Sequence, residues 1–210
     1  MPVGRLHVLT DFVFQQRFSH ADLAARAAAG GADTIQFRQK DGSVRDRYAG
    51  ARRTAAACDA AGVDLLIDDH VDLALAVGAA GVHLGQLDLP LEAARRVLGD
   101  AAIVGATATT VQQARDAESA GASYIGFGPV FPTQSKRNPA SVKGLAGLAA
   151  VCAAVSIPVI GIAGITPERV GDVIEAGAHG VAVMTAVTTA DDPQAAAAAF
   201  RRALDASLSH

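Results

Sequence analysis

Short apolar runs recur along this chain, each preceded by an Ala-rich stretch ending in glycine and most followed by a cluster of polar residues. The rhythm is plain in AARAAAGGADTIQF, AAACDAAGVDLLI, LALAVGAAGVHL, ARDAESAGASYIGF and VIEAGAHGVAV. In each, an Ala-rich helical segment closes on a Gly able to take positive φ, and a strand-length run follows at once. LHVLT at the start, AIVGA and IPVIGIAG supply three further strands, so eight strands alternate with helices. Uninterrupted βα alternation gives a parallel sheet, and eight units allow it to close. The pattern therefore predicts an α/β chain, a single (β/α)8 TIM barrel over residues 1–210, with a doubly wound open sheet as the competing arrangement.

The polar clusters come just past the apolar runs: QFRQK, DDH, GQLD and TQSK. The C-terminal ends of the strands form one face of a barrel, and that face carries the active site. Strand alternation puts Gln36, Arg38 and Lys40 on one side and Phe37 on the other. Two inward cations need an anion, since burying them unpaired costs several kcal/mol; the plainer alternative is a solvated strand end with a partner carboxylate. Asp68 and Asp69 end the third strand, and Asp88 follows the fourth after a glycine turn. Neighbouring strands lie about 5 Å apart, so Asp69 and Asp88 either share a hard cation such as Mg²⁺ or cap helix N-termini. Asp72 reads as a first-turn residue complementing the helix dipole. His83 faces either the barrel or its edge and reads as a hydrogen-bonded structural residue. The other histidines show no zinc-ligand spacing.

Later in the chain, Thr133, Ser135 and Lys136 combine hydroxyls with a cation, a set able to hold a phosphate. Gly164 precedes a helix starting near Thr166 and Pro167, and the eighth strand reads as ending at Thr185. Barrels often hold phosphates in the loops after strands seven and eight. The polar stretch from Thr133 to Lys143 reads as a mobile loop over the pocket.

Composition narrows the class. Half of the 210 residues are hydrophobic, only 4% are aromatic and none is Trp, so the core is aliphatic. A net charge of −3 without a basic block gives a nucleic-acid partner no electrostatic support. Apolar stretches stop well short of the roughly 18 residues of a membrane span. The start, MPVGRLHVLTD, lacks a signal-peptide core, and Cys58 and Cys152 read as reduced thiols in Ala-rich helices. These features predict a cytoplasmic protein acting on small phosphorylated molecules, with homo-oligomerisation left open.

The series LHVLTD, IQFRQK, VHLGQLDLP, GFGPVFPTQSK, GIAGITPE and GVAVMTAV, in order over nearly the whole chain, resembles the thiamine phosphate synthase family. The resemblance implies a transferase that joins hydroxymethylpyrimidine diphosphate to hydroxyethylthiazole phosphate and releases pyrophosphate. It implies that Gln36, Arg38 and Lys40 bind the diphosphate, with Asp68 near it and Thr107 at a further substrate-binding position, and that Asp69 and Asp88 bind Mg²⁺. Thr133, Ser135, Gly164, Met184 and Thr185 then fall on the thiazole phosphate site, with Lys136 shared; Arg38 and Lys136 would stabilise the departing pyrophosphate. The chain departs from the family at Asp68-Asp69-His70, where Asn-Asp-Arg is usual, at Thr107-Ala108-Thr109-Thr110, where Ser-x-His-Thr is usual, and at Gln39 and Ala163. The extra charge of Asp68 is expected to oppose diphosphate binding. Two other readings remain: a thiazole tautomerase, which typically has His where this chain has Pro129, and a regulatory protein that binds a thiamine precursor without turnover.

Overall fold

The computed structural model describes residues 3–133 and 141–209. Eight parallel strands close in chain order: β1 (Leu6–Thr10), β2 (Thr34–Phe37), β3 (Asp64–Asp68), β4 (Gly81–Leu84), β5 (Ile103–Ala108), β6 (Tyr124–Phe127), β7 (Val159–Ile162) and β8 (Gly180–Val183), with β8 back on β1. The first seven crossovers each hold a helix: α1 (His20–Ala29), α2 (Val44–Ala61), α3 (Val71–Val77), α4 (Leu91–Leu98), α5 (Val111–Ser119), α6 (Gly144–Cys152) and α7 (Val170–Glu175). All five helix-closing glycine turns seen in the sequence contain a glycine at positive φ. Gly62, at φ 68°, is typical: it ends α2 while its N–H donates to the Cys58 and Asp59 carbonyls.

Each strand divides its side chains between two cores. Ile35, Phe37, Ile67, Val82, Ile125 and Phe127 pack outward under the helices. A smaller inner cluster of Leu9, Leu66, Ile103, Tyr124, Ile160 and Ala182 fills the barrel itself. The alternation of a pleated strand assigns the two sets, and burial on both faces is why the runs read as continuously apolar. Helix starts are fixed by side chains: Ser19 with Asp22 and Ser43 with Asp46 form capping boxes on α1 and α2.

Two details differ from the reading of the sequence. The eighth strand stops at Val183, and Thr185 opens a one-turn helix, α8 (Thr185–Thr188), before α9 (Pro193–Leu208). The run GVAVMTAV is apolar across that boundary, so nothing in it marks where the strand ends. At Thr166 the chain enters a 3₁₀ turn, Pro167–Arg169, before α7. Among the described residues no helix is long and apolar enough to cross a membrane.

Candidate active site

A cavity of about 870 Å³ opens at the C-terminal ends of the strands. Gln36, Arg38, Lys40, Asp68, Asp69 and Asp88 line its β2–β4 side, Thr107 its β5 side, and Thr133, Gly164, Met184 and Thr185 the opposite side. Ser135 and Lys136, and most of the expected covering loop, lie outside the described residues.

The rim past β2, β3 and β4 is a compact charge cluster. Arg38 forms a close ion pair with Asp11, the residue after β1, and its Nε lies 3.5 Å from Asp68 Oδ2. Lys40 Nζ is 2.8 Å from Asp68 Oδ2 and in close contact with Asp69. Asp68 is thus held between two cations, so the charge expected to oppose a diphosphate is already partnered. Burial pushes its pKa up, against the pull of Lys40. For Lys40, burial works against the charged form, but Asp68 and Asp69 outweigh it and the net shift is upward.

Asp69 lies just past β3 at φ 64°, a left-handed conformation that Asp tolerates better than most residues. Its N–H donates to the His83 carbonyl at 2.9 Å, so the turn is tied to β4 and the carboxylate faces Asp88. Asp88 caps no helix: its Oδ2 accepts from Gly85 N at 2.6 Å in its own loop. The two carboxylates interact directly across the gap between the loops. Burial raises Asp88, with the charge of Asp69 adding to it against the Gly85 N–H; burial of Asp69 is outweighed by Lys40, and its net shift is downward. No cluster of three or more His, Cys, Asp or Glu side chains able to hold a metal occurs among the described residues. Two carboxylates that interact directly nevertheless suit Mg²⁺, which takes one or two protein carboxylates and completes its shell with water and phosphate oxygens.

The floor is different in kind. Beneath the rim lie His7, Gln36, His83 and Tyr124; Tyr124 hydrogen-bonds to His83 and lies against Gln36, and the His7 ring packs edge-on to the Tyr124 ring. His7 Nε2 is 3.0 Å from the Gly4 carbonyl, and burial lowers its pKa to about 4. Burial raises the Tyr124 phenol. His83 points into the barrel, with Nδ1 2.8 Å from Tyr124 Oη and Nε2 2.8 Å from Thr107 Oγ1. Two glycines make this possible. A Cβ on Gly105 would fall 2.2 Å from the Tyr124 ring, and one on Gly126 would fall 2.8 Å from His83 Cε1.

On the β7–β8 side the offer is backbone and small side chains. Ala163 (φ 82°) and Gly164 (φ 64°) curl the loop, and a Cβ on Gly164 would meet the Pro132 carbonyl oxygen at 2.5 Å. Arg169 donates to the Gly164 carbonyl at 2.8 Å while its guanidinium lies 4.6 Å from the Phe131 ring centre, joining the loops after β6 and β7.

Three residues, Asp11, Tyr124 and Arg47, escape the sequence reading, and a fourth, His83, is the hydrogen-bonded residue expected, its face now settled. Asp11 reads as an ordinary polar strand end, because its partner is 27 residues away. His83 and Tyr124 are set by which face of the pleat meets the barrel interior. Arg47 comes from α2, donating to the Lys40 carbonyl at 2.7 Å and lying 3.4 Å from His70 Nε2. It sets a guanidinium beside His70, the residue where the family usually has arginine.

Comparison with known proteins agrees with this geometry. The family model for thiamine monophosphate synthase matches residues 8–187. The thiamine-phosphate synthase of Salinibacter ruber is 60% identical over 206 residues, covering 98% of this chain and 91% of its own. That of Haloquadratum walsbyi is 47% identical, covering 89% of this chain and 85% of its own. Among solved structures, the thiamine phosphate pyrophosphorylase from Pyrococcus furiosus superposes with a TM-score of 0.88 at 34% identity, over 97% of this chain and 96% of that one. A match of this extent, on a barrel whose mouth holds the expected cations and carboxylates, shows that the chain belongs to the thiamine monophosphate synthase family.

Proposed function

We propose that this chain is a thiamine-phosphate synthase that joins hydroxymethylpyrimidine diphosphate to hydroxyethylthiazole phosphate, forming thiamine monophosphate and pyrophosphate. The observation that carries the reading is the rim cluster, in which Arg38 and Lys40 stand beside the Asp69–Asp88 pair on one wall of a single cavity. Cations that face carboxylates across a cavity can exchange them for a phosphorylated ligand without being stranded in a low-dielectric site.

In the reaction the bond from the pyrimidine methylene carbon to the diphosphate oxygen breaks, and its electron pair leaves with pyrophosphate. Arg38 and Lys40 face that developing charge, and Lys136 joins them on the family pattern. The pyrimidine ring spreads the positive charge left on the methylene, and the thiazole nitrogen forms the new C–N bond with its lone pair. That nitrogen carries no proton, so the step calls for no general base. Asp69 and Asp88 would hold Mg²⁺, which when bound supplies charge neutralisation to the phosphate oxygens. The thiazole phosphate fits the side formed by Thr133, Gly164, Met184 and Thr185, with Ser135 on the same pattern, where the loops after strands seven and eight meet. The cytoplasm is the proposed compartment. Pro129, at the position where tautomerases typically carry His, lines the cavity with no group able to carry a proton.

Purified protein given both substrates and Mg²⁺ should form thiamine monophosphate and pyrophosphate in equal amounts. Binding of the pyrimidine diphosphate without product would favour a sensor, and isomerisation of a thiazole carboxylate phosphate would favour the tautomerase.

A further inference from the structure

The cavity floor joins Gln36 and Thr107, two residues at the family's substrate positions, through Tyr124 and His83, to which the resemblance gives no role. Tyr124 is 1% exposed, and burial favours its neutral, protonated phenol. A buried O–H needs an acceptor, and His83 Nδ1 lies 2.8 Å away. With Nδ1 accepting, the neutral imidazole carries its proton on Nε2, which then donates to Thr107 Oγ1 at 2.8 Å. Thr107, having accepted, has its hydroxyl proton left to donate. The reverse direction would deprive the buried phenol proton of that acceptor.

We infer that Tyr124 and His83 are positioning residues that hold the Thr107 hydroxyl as a donor into the cavity, toward a lone pair on the pyrimidine ring of the substrate. The floor has no charged group among these four residues, so it suits the neutral ring while the rim takes the diphosphate. The geometry leaves the assembly little freedom. Thr107 and Gly126 are register partners, as are Gly105 and both His83 and Tyr124, so the two glycines lie where the two rings need room. The inference rests on reading the cavity as the site of a pyrimidine diphosphate.

Two measurements test it. In ¹⁵N-histidine-labelled wild-type protein, His83, assigned from the signals lost in His83→Gln, should be the Nε2–H tautomer with unprotonated Nδ1; an Nδ1–H tautomer overturns the relay. In kinetics, His83→Leu and Thr107→Val should each lower kcat/KM for the pyrimidine diphosphate about 10- to 100-fold, with KM for thiazole phosphate within about twofold. The double variant should lose no more than either single one, because both break the same chain. His83→Gln, whose amide N–H can replace Nε2–H, should recover most of the loss. Multiplying losses, no recovery with Gln, or an equal rise in the thiazole phosphate KM would each overturn it. Should His83→Leu not fold, Tyr124→Phe takes its place, with loss of the single tautomer expected and an unchanged His83 spectrum the contrary result. A wild-type protein that makes no thiamine monophosphate counts against the proposed function, while the tautomer still decides the relay.

Discussion

The rim and the floor of the cavity use opposite electrostatics a few ångströms apart. On the rim, Arg38 and Lys40 are surrounded by Asp11, Asp68 and Asp69, with Asp88 alongside. On the floor, His7, Gln36, His83 and Tyr124 are held by neutral hydrogen bonds, and burial moves His7 and Tyr124 away from ionisation. The contrast teaches where each kind of polar group is tolerated. At the mouth, charges are kept, even the buried Asp11, because each is paired and a charged ligand can replace its partner. Below that level polar groups are held by hydrogen bonds with no ion pair among them. Two cations among four carboxylates leave the rim at a net charge of −2 when all are ionised. On the proposed reading, a divalent cation offsets that imbalance when the diphosphate binds.

The largest effect expected is on the rim. Asp88→Ala should abolish turnover even at high Mg²⁺, yet lower stability by only about 1 kcal/mol through the lost bond to Gly85 N. Full activity at low Mg²⁺ would remove Asp88 from the metal site. Arg38→Ala should cost about 3–5 kcal/mol in urea unfolding, because Asp11, 2% exposed, would be left as an unpaired buried carboxylate. A loss near zero would show that the ion pair is readily replaced by water.

The floor should respond to acid instead. His7 has a folded pKa of about 4, below the ordinary 6.5, because burial excludes its charged form. The unfolded chain therefore binds more protons between those values. Stability is complete above pH 6.5 and declines as pH falls toward 4, by about 3 kcal/mol as an upper bound from this residue. His7→Gln should flatten that part of the stability–pH curve; an unchanged slope would place the acid sensitivity elsewhere, with His20, also lowered to about 4 by burial and Arg53, the next candidate. The smallest change is expected from Asp68→Asn, which frees Arg38 and Lys40 from one competitor. Calorimetry should show the pyrimidine diphosphate binding about 1 kcal/mol tighter. Weaker binding would mean that Asp68 orients the cations and its competition is minor.

The difference between rim and floor also marks what the sequence could convey. Strands read well because burial on both faces makes each one an apolar run, and the glycine turns punctuate them. Strand-end charges such as Arg38, Lys40, Asp69 and Asp88 stood out because they interrupt that apolarity. The floor residues do not. His83 in GVHL and Tyr124 in SYIGF lie inside their runs, and a four-residue strand is too short for alternation alone to decide which face looks inward. Asp11 and Arg47 were hidden for another reason: Arg38, the partner of Asp11, and His70, beside Arg47, come from neighbouring βα units, and pairing across units depends on how the units pack.

The left-handed turn at Asp69 carries a consequence for adaptation. The backbone there would accept glycine with less strain, and Lys40, partly exposed and already paired with Asp68, would lose little by the change. Asp69→Gly should therefore melt no earlier than the parent chain while losing its catalytic competence. Selection for thermal persistence alone would drift away from aspartate at this position, so its presence records selection for turnover.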